Sequence, residues 1–520
     1  MSKLPTFFCN LLWFLSSLPG WVRFLWACQF PKQTQKQILK KILKKNHVTR
    51  FLKENEFDRL TPRKYEDFLP YIESMMRGRK NVLTAEDPIL LEPTGGTTSG
   101  TKLIPYTFAL KKEFQRAIDP WICGLFMKWP SLLFGRHYWC ITPSTTLETD
   151  SEIPIGFDTD AAYLNRSQQI LMDHILAVPD EIKKCTDPIS AEYLTLFYLL
   201  KSKNLRLISI WHPSLLVIQL KTLKIRFDEL IHTLETGGLP DDIKSPIPVL
   251  KHPRRARQLR EMGFNPARIW KRLKIISCWV GASGQEWIDQ LELMFPTVTI
   301  QPKGLIATEG ISTIPLGTKE NIAAVGSHYY EFENEKSKER LPLWNLEKGA
   351  VYHLILTTGG GLYRYCTHDR VKVSGMFGKT PCLEFLTRNN MTSDLVGEKI
   401  ALSQAQQICS SIPIPRTFAL IAPEAVGNSF RYVLYLEAMN PVPLDDFFEK
   451  ELNQNFHYHH ARNIGQLEHS VVRYIHHGVE KTYAYLEGLG QQRGNIKLSA
   501  LRLETNWGSV LEDNLNVGEP

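Results

Sequence analysis

The chain has 520 residues, 43% of them hydrophobic and 22% charged, and carries a formal net charge of +8. Its length is too great for one hydrophobic core, so two or more folding units are expected, and its composition is that of a soluble globular protein. The mild positive charge fits anionic small ligands as well as nucleic acid and excludes neither.

The cysteines argue against a chain that is held together by disulfide bonds or by structural zinc. They are odd in number, scattered along the sequence, and never form a Cys-x-x-Cys pair. We therefore expect free thiols and a reducing cytoplasm as the compartment. The nine residues are Cys9, Cys28, Cys123, Cys140, Cys185, Cys278, Cys366, Cys382 and Cys409.

An apolar, tryptophan-rich stretch lies near the beginning of the sequence, between residues 7 and 30. Asn10, Pro19, Gly20 and Arg23 interrupt it. Because of these interruptions, we do not expect the stretch to span a membrane.

A basic stretch follows over residues 32–53, in which lysines are interleaved with isoleucines and leucines. This spacing predicts an amphipathic helix. We expect the helix to pack on the domain with a solvated basic face, and a weak contact with a membrane surface through the N-terminus is the alternative interpretation.

Helical patterns and short apolar runs alternate through most of the chain, which is typical of an α/β fold. Strand candidates recur between residues 273 and 374, and after about residue 388 the elements become shorter. We therefore predict a large N-terminal domain of helices and mixed β-sheets over residues 1–387. A small C-terminal α+β domain is predicted over residues 388–520.

The most informative segment is a run of glycine, threonine and serine that ends in lysine. Glycines let the backbone approach phosphate oxygens, hydroxyls and N–H groups donate hydrogen bonds to them, and a lysine offsets their charge. Thr101 separates Gly100 from Lys102, so the run is not a Walker loop, and a flexible polar turn is the alternative. The residues predicted to bind nucleotide phosphates are Thr94, Gly95, Gly96, Thr97, Thr98, Ser99 and Lys102.

This run resembles the phosphate loop of the adenylate-forming superfamily, which includes acyl-CoA synthetases and firefly luciferase. The superfamily usually has glycine where Ser99 stands. The continuation Leu-Ile-Pro-Tyr-Thr over residues 103–107 is similar to that of the auxin-responsive (Gretchen Hagen) acyl-acid amido synthetase family in its bacterial type. The resemblance implies a large domain that binds ATP and the acyl substrate, followed by a small mobile domain.

Two further motifs follow in the order that the superfamily requires. An apolar run ends in Thr308 and Glu309; alone it is an ordinary turn, but the resemblance implies that Glu309 holds Mg²⁺ beside the nucleotide. Residues 362–371 resemble a Tyr-Arg-Tyr and Gly-Asp element, which implies that Asp369 accepts hydrogen bonds from the ribose hydroxyls. His368 stands where glycine is usual, and histidine tolerates a positive φ better than most residues.

Two motifs lie at or beyond the domain boundary. Residues 387–400 are either a polar linker or, by resemblance, an interdomain hinge from which Arg388 reaches the nucleotide as the second domain swings. Residues 494–497 resemble a Gly-Asp-Ile-Lys motif, with Asn495 in place of aspartate. The resemblance implies that Lys497 stabilises charge in the adenylation step.

Three other segments have weaker interpretations. Residues 281–284 are expected to line the acyl site as a loop, and residues 327–333 resemble an aromatic-rich segment beside the nucleotide or the acyl pocket. His457, His459 and His460 lack a further ligand at zinc spacing, so a zinc site is not expected there.

Together the resemblances imply an enzyme, an ATP-dependent and Mg²⁺-dependent acid–amino acid ligase. A carboxylic acid would be activated as an acyl-adenylate and then transferred to an amine to form an amide. The expected partners are these two small molecules, with no nucleic acid, and the expected state is a cytoplasmic monomer. Two alternatives stay open: transfer to a thiol such as coenzyme A, and a degenerate nucleotide-binding protein, which His368, Asn495 and the apolar N-terminus motivate.

Overall fold

The order of helices and strands in the structure, a computed structural model, gives an α/β unit followed by an α+β unit. Contacts divide the chain into two compact units, one that ends at Leu386 and one that begins at Thr387. The predicted fold class is confirmed, because the first unit combines helices with parallel and antiparallel sheets. The structure describes residues 3–93, 102–140, 151–155, 171–172, 174–185, 187–280, 285–317, 320–388, 392–427, 429–489, 491, 493 and 496–512.

Helices begin where local chemistry satisfies or removes their unpaired N–H groups. The side chains of Thr107 and Asp187 each accept a hydrogen bond from the first turn that follows them. Proline occupies the first turn of several others, where its missing N–H costs nothing. In the described residues the helices are α1 (Lys3–Gln29), α2 (Pro31–Asn46), α3 (Arg50–Glu54), α4 (Leu69–Met76), α5 (Phe108–Lys128), α6 (Pro188–Lys201), α7 (Pro213–Ile225), α8 (Phe227–Thr236), α9 (Pro253–Met262), α10 (Pro266–Ile269), α11 (Gln285–Met294), α12 (Leu402–Ser411), α13 (Asp445–Leu452), α14 (Phe456–Asn463), α15 (Gly478–Gly488) and α16 (Trp507–Leu511).

The strands are short in the first half of the chain and longer beyond residue 350. In chain order they are β1 (Leu90–Pro93), β2 (Leu103–Tyr106), β3 (Arg136–Trp139), β4 (Leu205–Ser209), β5 (Ile275–Cys278), β6 (Thr299–Pro302), β7 (Ile306–Ala307), β8 (Gly310–Ile311), β9 (Thr313–Pro315), β10 (Asn321–Ala323), β11 (Tyr329–Asn334), β12 (Arg340–Pro342), β13 (Val351–Thr357), β14 (Tyr365–Phe377), β15 (Thr380–Arg388), β16 (Thr392–Ser393), β17 (Ile400–Ala401), β18 (Phe418–Val426), β19 (Ser429–Glu437) and β20 (Val471–Tyr474).

Two sheets organise the first unit. A four-stranded parallel sheet has the order β3-β4-β5-β6, and its strand β5 is buried along its whole length, as expected for a sheet covered on both faces. A seven-stranded sheet has the order β12-β11-β13-β14-β15-β10-β9. The main core joins this second sheet to α1 and α5 through residues such as Trp13, Phe114, Trp121, Phe332 and Leu354.

The apolar N-terminal stretch is not interrupted at Asn10, Pro19, Gly20 or Arg23, contrary to the expectation from the sequence. Residues 3–29 form a single helix, α1, and this helix is long and apolar enough to cross a membrane by length and composition. Asn10 does not break it, because its amide donates to three backbone carbonyls after α5, including that of Gly135 at 2.9 Å. Gly20 does not break it either, because a Cβ there would lie 2.4 Å from the Cβ of Asp119 on α5. Both residues adapt α1 to close packing on α5.

The amphipathic helix predicted over residues 32–53 is confirmed as α2, with α3 after it. Ile38 and Ile42 are buried, while Lys36, Lys40 and Lys44 are exposed. The buried face belongs to a core that α2 shares with α3 and α4 and with the tyrosines before and at the start of β14. This face supports the same strand that carries Asp369.

The second unit is built on a three-stranded sheet. β18 and β19 form a long antiparallel pair, and β20 adds to β19 in parallel. Residues of both long strands, among them Ile421 and Leu434, form the core with Phe448 and Leu501.

Candidate active site

Glu309 lies in the turn of a two-residue hairpin. β7 and β8 pair through Ile306 with Ile311 and through Ala307 with Gly310, which leaves Thr308 and Glu309 as the turn. Glu309 is only 4% exposed, and one carboxylate oxygen accepts a hydrogen bond from the Tyr365 hydroxyl at 3.3 Å. The carboxylate is therefore held in place.

The buried His328 holds this hairpin in place through a hydrogen bond to its second strand. The Nε2 atom of His328 accepts a hydrogen bond from the Ile311 N–H at 3.1 Å, so its proton is on Nδ1, which donates to Glu113 at 2.7 Å. The Glu113 carboxylate also accepts from the Gly359 N–H, at 2.9 and 3.1 Å. Gly310 has no room for a side chain, since a Cβ would lie 2.9 Å from His328. The pair thereby ties the Glu309 turn to α5 and to the loop after β13.

Asp369 lies in a bulge of β14. Thr367, His368 and Asp369 together face the single residue Leu354 of β13, so β14 contains two extra residues at this point. His368 has a φ of +64°, the conformation for which glycine is usual and which histidine tolerates. The bulge turns Asp369 out of the regular alternation of the strand and leaves its side chain half-buried.

Tyr65 links Lys102 to the surroundings of Glu309. Its hydroxyl accepts from the Leu103 N–H at 2.8 Å and donates to the Leu103 carbonyl at 3.1 Å, which fixes the residue after Lys102. The Lys102 ammonium lies 5.2 Å from the centre of the Tyr65 ring. Burial raises the pKa of Tyr65, the Leu103 contact lowers it, and the carboxylates of Glu66 and Glu309 raise it again. Together these effects raise the pKa of Tyr65 above its ordinary value.

The structure therefore brings three predicted residues into one part of the first unit. Lys102 lies against the ring of Tyr65, Glu309 accepts a hydrogen bond from Tyr365, and the two tyrosines belong to the same buried core cluster. Asp369 is on the same strand as Tyr365, no more than about 14 Å along it. This span fits a bound nucleotide. Neither tyrosine contact was anticipated from the sequence, because each joins residues that are far apart in the chain.

The other predicted residues lie either outside the described part of the chain or in the second unit. Thr94, Gly95, Gly96, Thr97, Thr98 and Ser99 lie outside the described residues, as does the loop over residues 281–284. Arg388 is the last residue of β15 and falls just past the boundary, in the second unit. Lys497, also in the second unit, is exposed, and its carbonyl accepts a hydrogen bond from the buried Arg502 at 3.4 Å. The predicted roles of Arg388 and Lys497 stay predictions.

The segment after Arg388 is anchored to the second unit. The N–H groups of Leu395 and Val396 donate to the fully buried Glu398 carboxylate at 2.8 to 3.0 Å, and the Tyr432 hydroxyl also donates to it. β16 and β17 pair on either side of this turn. Residues 392–401 are consequently an ordered part of the second unit.

The residues of the 327–333 segment have structural contacts. His328 holds Glu113, and Glu331 forms a buried ion pair with Arg364 at 2.9 Å. Arg364 also donates to the carbonyls of Phe57 and Leu60, which ties β14 to the segment after α3. These contacts position the start of the strand that carries Tyr365 and Asp369.

A second cluster lies at the carboxyl edge of the parallel sheet and was missed in the sequence. Trp211 follows β4, Trp279 follows β5 and Lys303 follows β6. Lys303 is only 6% exposed, and its ammonium lies 4.3 Å from the centre of the Trp211 ring and 5.8 Å from that of Trp121 on α5. Ligands of parallel sheets bind at this edge, and a cation among aromatic rings suits a planar carboxylic acid. The signal that could have revealed it is the position of these residues, each within two residues of the end of a strand of the parallel sheet.

Glu309 is a single candidate carboxylate ligand for a metal ion. In the part of the chain that the structure describes, no group of three or more histidine, cysteine, aspartate or glutamate side chains could hold a metal ion. A single carboxylate fits Mg²⁺, which commonly takes one or two carboxylates and completes its shell with phosphate oxygens and water. The Glu309 carboxylate is therefore compatible with the Mg²⁺ role that the resemblance implies for it.

Comparison with known families and proteins supports one assignment. The chain matches the GH3 family N-terminal domain over residues 22–300 and the GH3 family central domain over residues 322–388. It is 23% identical over 425 residues to a probable indole-3-acetic acid-amido synthetase, GH3.11, of Oryza sativa subsp. japonica, with 71% of each chain covered. It is 22% identical over 453 residues to the 4-substituted benzoates-glutamate ligase GH3.12 of Arabidopsis thaliana, with 78% of each covered.

Solved structures share the fold at low sequence identity. The GH3.15 acyl acid amido synthetase in complex with 2,4-DB superposes with a TM-score of 0.80 at 18% identity, over 96% of this chain and 98% of that one. This likeness concerns the fold, while the family is established by the first match, which spans more than half of the sequence. The chain belongs to the GH3 family of acyl acid amido synthetases, within the adenylate-forming superfamily.

Proposed function

We propose that this chain activates a carboxylic acid with ATP and transfers the acyl group to the amine of an amino acid. The observation that carries the proposal is the placement of Lys102 against Tyr65 and of Glu309 against Tyr365, which is on the strand of Asp369, with both tyrosines in one buried core cluster. Family membership supports an acid–amino acid ligase, since relatives are amido synthetases and ligases.

In the proposed first step, a carboxylate oxygen of the acid attacks the α-phosphorus of ATP, and pyrophosphate leaves. Lys102 offsets phosphate charge, Asp369 binds the ribose hydroxyls, and Glu309 would hold Mg²⁺, which supplies further charge neutralisation. No protein nucleophile is needed, because positioning and charge stabilisation suffice. Lys497 is proposed to stabilise the charge that develops in this step.

In the proposed second step, the amine attacks the carbonyl carbon of the acyl-adenylate. The amide bond forms, the bond to the adenylate oxygen breaks, AMP leaves, and the amine proton goes to solvent. We propose that Arg388 marks the region about which the second domain, residues 388–520, swings between the steps. Such closure excludes water from the mixed anhydride.

The acid is proposed to bind at the carboxyl edge of the parallel sheet. Lys303 would pair with its carboxylate, and the rings of Trp121 and Trp211 would cover a planar body. Relatives that are described as acting on indole-3-acetic acid and on substituted benzoates agree with an aromatic acid. We further propose a monomer that works in the cytoplasm, where the cysteines, which are free in the structure, would stay reduced.

The test is pyrophosphate release with a panel of aromatic and aliphatic acids, for wild type and for Lys102→Ala. The proposal expects release that depends on an acid and on Mg²⁺ and that falls at least tenfold in the variant. Equal, acid-independent release by both proteins would overturn it.

A further inference from the structure

α1 carries apolar side chains on both of its faces. Its inner face packs on α5 through Trp13, Phe24 and Cys28, which are at most 2% exposed. Its outer face has a line of exposed apolar residues that we call the outer stripe. The outer stripe consists of Phe8, Leu12, Leu15, Pro19, Val22 and Trp26.

The outer stripe is a continuous surface. Its members recur every three or four positions, which places them within about 80° of one another around the helix axis. The large side chains are 48 to 63% exposed, and only 28% of the most apolar window of the helix is buried. Exposed polar residues of α1, Ser16 and Arg23, flank the stripe and do not interrupt it. A surface of this size and character marks an interaction site.

A basic groove adjoins the C-terminal end of the outer stripe. It has a volume of about 390 Å³ and is lined by Trp26 from the stripe, by α2 and by the first turns of α5. Five cationic side chains line it against three acidic ones, Glu86, Glu113 and Asp119. The cations are Arg23, Lys41, Lys45, Lys112 and Arg116.

We propose that the outer stripe and the basic groove bind the surface of an anionic membrane. The helix would lie in the plane of the interface, with the stripe among the acyl chains and the groove against phospholipid headgroups. Lys45 is paired with Glu86 and Arg116 lies 3.9 Å from Glu113, which leaves Arg23, Lys41 and Lys112 as the groove's main attraction for anions. An apolar helix face beside such basic side chains is the pattern of interfacial helices that bind anionic lipids. Charge complementarity thus favours lipid over a second copy of this basic chain.

The contacts of α1 decide between lying on the membrane and crossing it. Asn10 is bonded to the turn after α5, Gly20 is packed on Asp119, and the Cys28 carbonyl accepts the Lys379 N–H at 2.9 Å. A crossing helix would have to leave α5 along its whole length and expose the buried face of the main core. The helix therefore stays on the first unit while its outer face enters the interface.

The experiment is flotation of the full chain with two kinds of vesicle, pure phosphatidylcholine and phosphatidylcholine with phosphatidylserine at about 3:1. Wild type is expected to float with the anionic vesicles and to be released by salt. The stripe variant Leu12→Ser/Leu15→Ser/Val22→Ser should bind at least tenfold less, while Ile225→Ser/Leu293→Ser, at exposed apolar positions elsewhere, should bind as wild type. All three proteins should keep the same thermal melting point, because the changed side chains are 48% or more exposed.

Charge variants distinguish binding of anionic lipids by the groove from a general attraction between the positively charged chain and anionic vesicles. Arg23→Gln/Lys41→Gln/Lys112→Gln should lose the preference for anionic vesicles. The control Lys251→Gln/Lys336→Gln/Lys348→Gln removes the same charge from exposed positions elsewhere and should keep the preference.

Several results would overturn the proposal. They are failure of wild type to float, equal losses in the stripe variant and its control, or resistance of the bound protein to alkaline carbonate, which indicates a spanning helix. A dimer in sedimentation that the stripe variant abolishes, without vesicle binding, would assign the stripe to a second copy. None of these readouts depends on catalysis, so they leave the proposed function untouched.

Discussion

Thr367 holds Asp369 in its bulge, because the Thr367 hydroxyl accepts a hydrogen bond from the Asp369 N–H at 3.1 Å. The same hydroxyl donates to the carbonyl of Leu354, the residue of β13 that faces the bulge, at 3.1 Å. The Thr367 side chain thus replaces the backbone hydrogen bonds between β13 and β14 that the two extra residues of the bulge interrupt. A residue with no proposed contact to the nucleotide sets the position of one that is proposed to bind the ribose.

Thr367→Val keeps the shape of the side chain and removes both hydrogen bonds. A lost hydrogen bond of about 1 kcal/mol corresponds to roughly a fivefold effect, so we expect the KM for ATP to rise about fivefold to tenfold with a smaller change in kcat. Steady-state kinetics with ATP varied measures this. Thr367→Ser retains the hydroxyl and should behave as wild type; a serine variant as impaired as the valine variant would contradict the account.

Glu309→Gln removes the charge that is proposed to hold Mg²⁺ and leaves the size of the side chain. We expect acid-dependent pyrophosphate release to fall by about two orders of magnitude, which is typical for the loss of one preorganised electrostatic contact. Raising Mg²⁺ should restore part of the rate. The matched control is Glu339→Gln, at an exposed position of the β11–β12 hairpin. Equal rates in Glu309→Gln and wild type at low Mg²⁺ would exclude a metal role.

Glu113→Ala breaks the buried contacts that anchor the Glu309 turn. It leaves His328 and the Gly359 N–H without their carboxylate partner, and an unsatisfied buried group costs about 1 to 3 kcal/mol. We expect the free energy of unfolding of the first unit to fall by about 3 kcal/mol or more, as measured by urea denaturation. The exposed Glu339→Ala is the control, and an unchanged midpoint in Glu113→Ala would show that the network does not stabilise the turn.

Lys303→Met keeps the length of the side chain at the carboxyl edge of the parallel sheet and removes its charge. If the acid binds there, the variant loses the ion pair between Lys303 and the carboxylate of the acid. The KM for the acid should therefore rise at least tenfold, while the KM for ATP stays within about twofold. Lys372→Met, at an exposed position of β14, controls for charge. A rise in the KM for ATP alone would place Lys303 at the nucleotide.

Glu449 makes the second unit sensitive to acid. Burial alone would raise the pKa of this carboxyl, but hydrogen bonds from Arg462, Ser470 and Tyr458 outweigh it and lower the pKa from 4.5 to about 2. Because the folded-state pKa is the lower one, its contribution to stability is present above about pH 4.5 and is lost as the pH falls toward 2. The free energy of unfolding of the second unit, measured with denaturant, should therefore fall as the pH is lowered across this window. Glu449→Gln should flatten that dependence and lower stability at neutral pH; a dependence as steep as wild type would exclude Glu449 as its source.

The local structure around Glu309 and Asp369, two candidate nucleotide-binding residues, could be predicted because it follows local sequence patterns. A short apolar run followed by Thr308 and Glu309 predicts that a strand ends there. In the structure this pair forms the turn after β7. The positive φ at His368 could be anticipated from its place before Asp369.

The rest depended on contacts that no local pattern contains. Tyr65 meets Leu103, and Glu113 meets His328, across long sequence separations. Lys303 is an ordinary lysine in the sequence and becomes notable only when β4, β5 and β6 align their carboxyl ends. The continuity of α1 was missed because Gly20 reads as a helix breaker, whereas its lack of a side chain is what lets α1 approach Asp119.

The central claim, that an acid is activated through its own oxygen on the α-phosphorus and then joined to an amine, is tested most directly with an acid labelled with ¹⁸O in its carboxylate. The acid, ATP, Mg²⁺ and a mixture of amino acids are incubated with the full chain, and the products are identified by mass spectrometry. The account predicts equal amounts of amide, AMP and pyrophosphate, with one ¹⁸O in each AMP. Label in inorganic phosphate, or amide formation with unlabelled AMP, would contradict it.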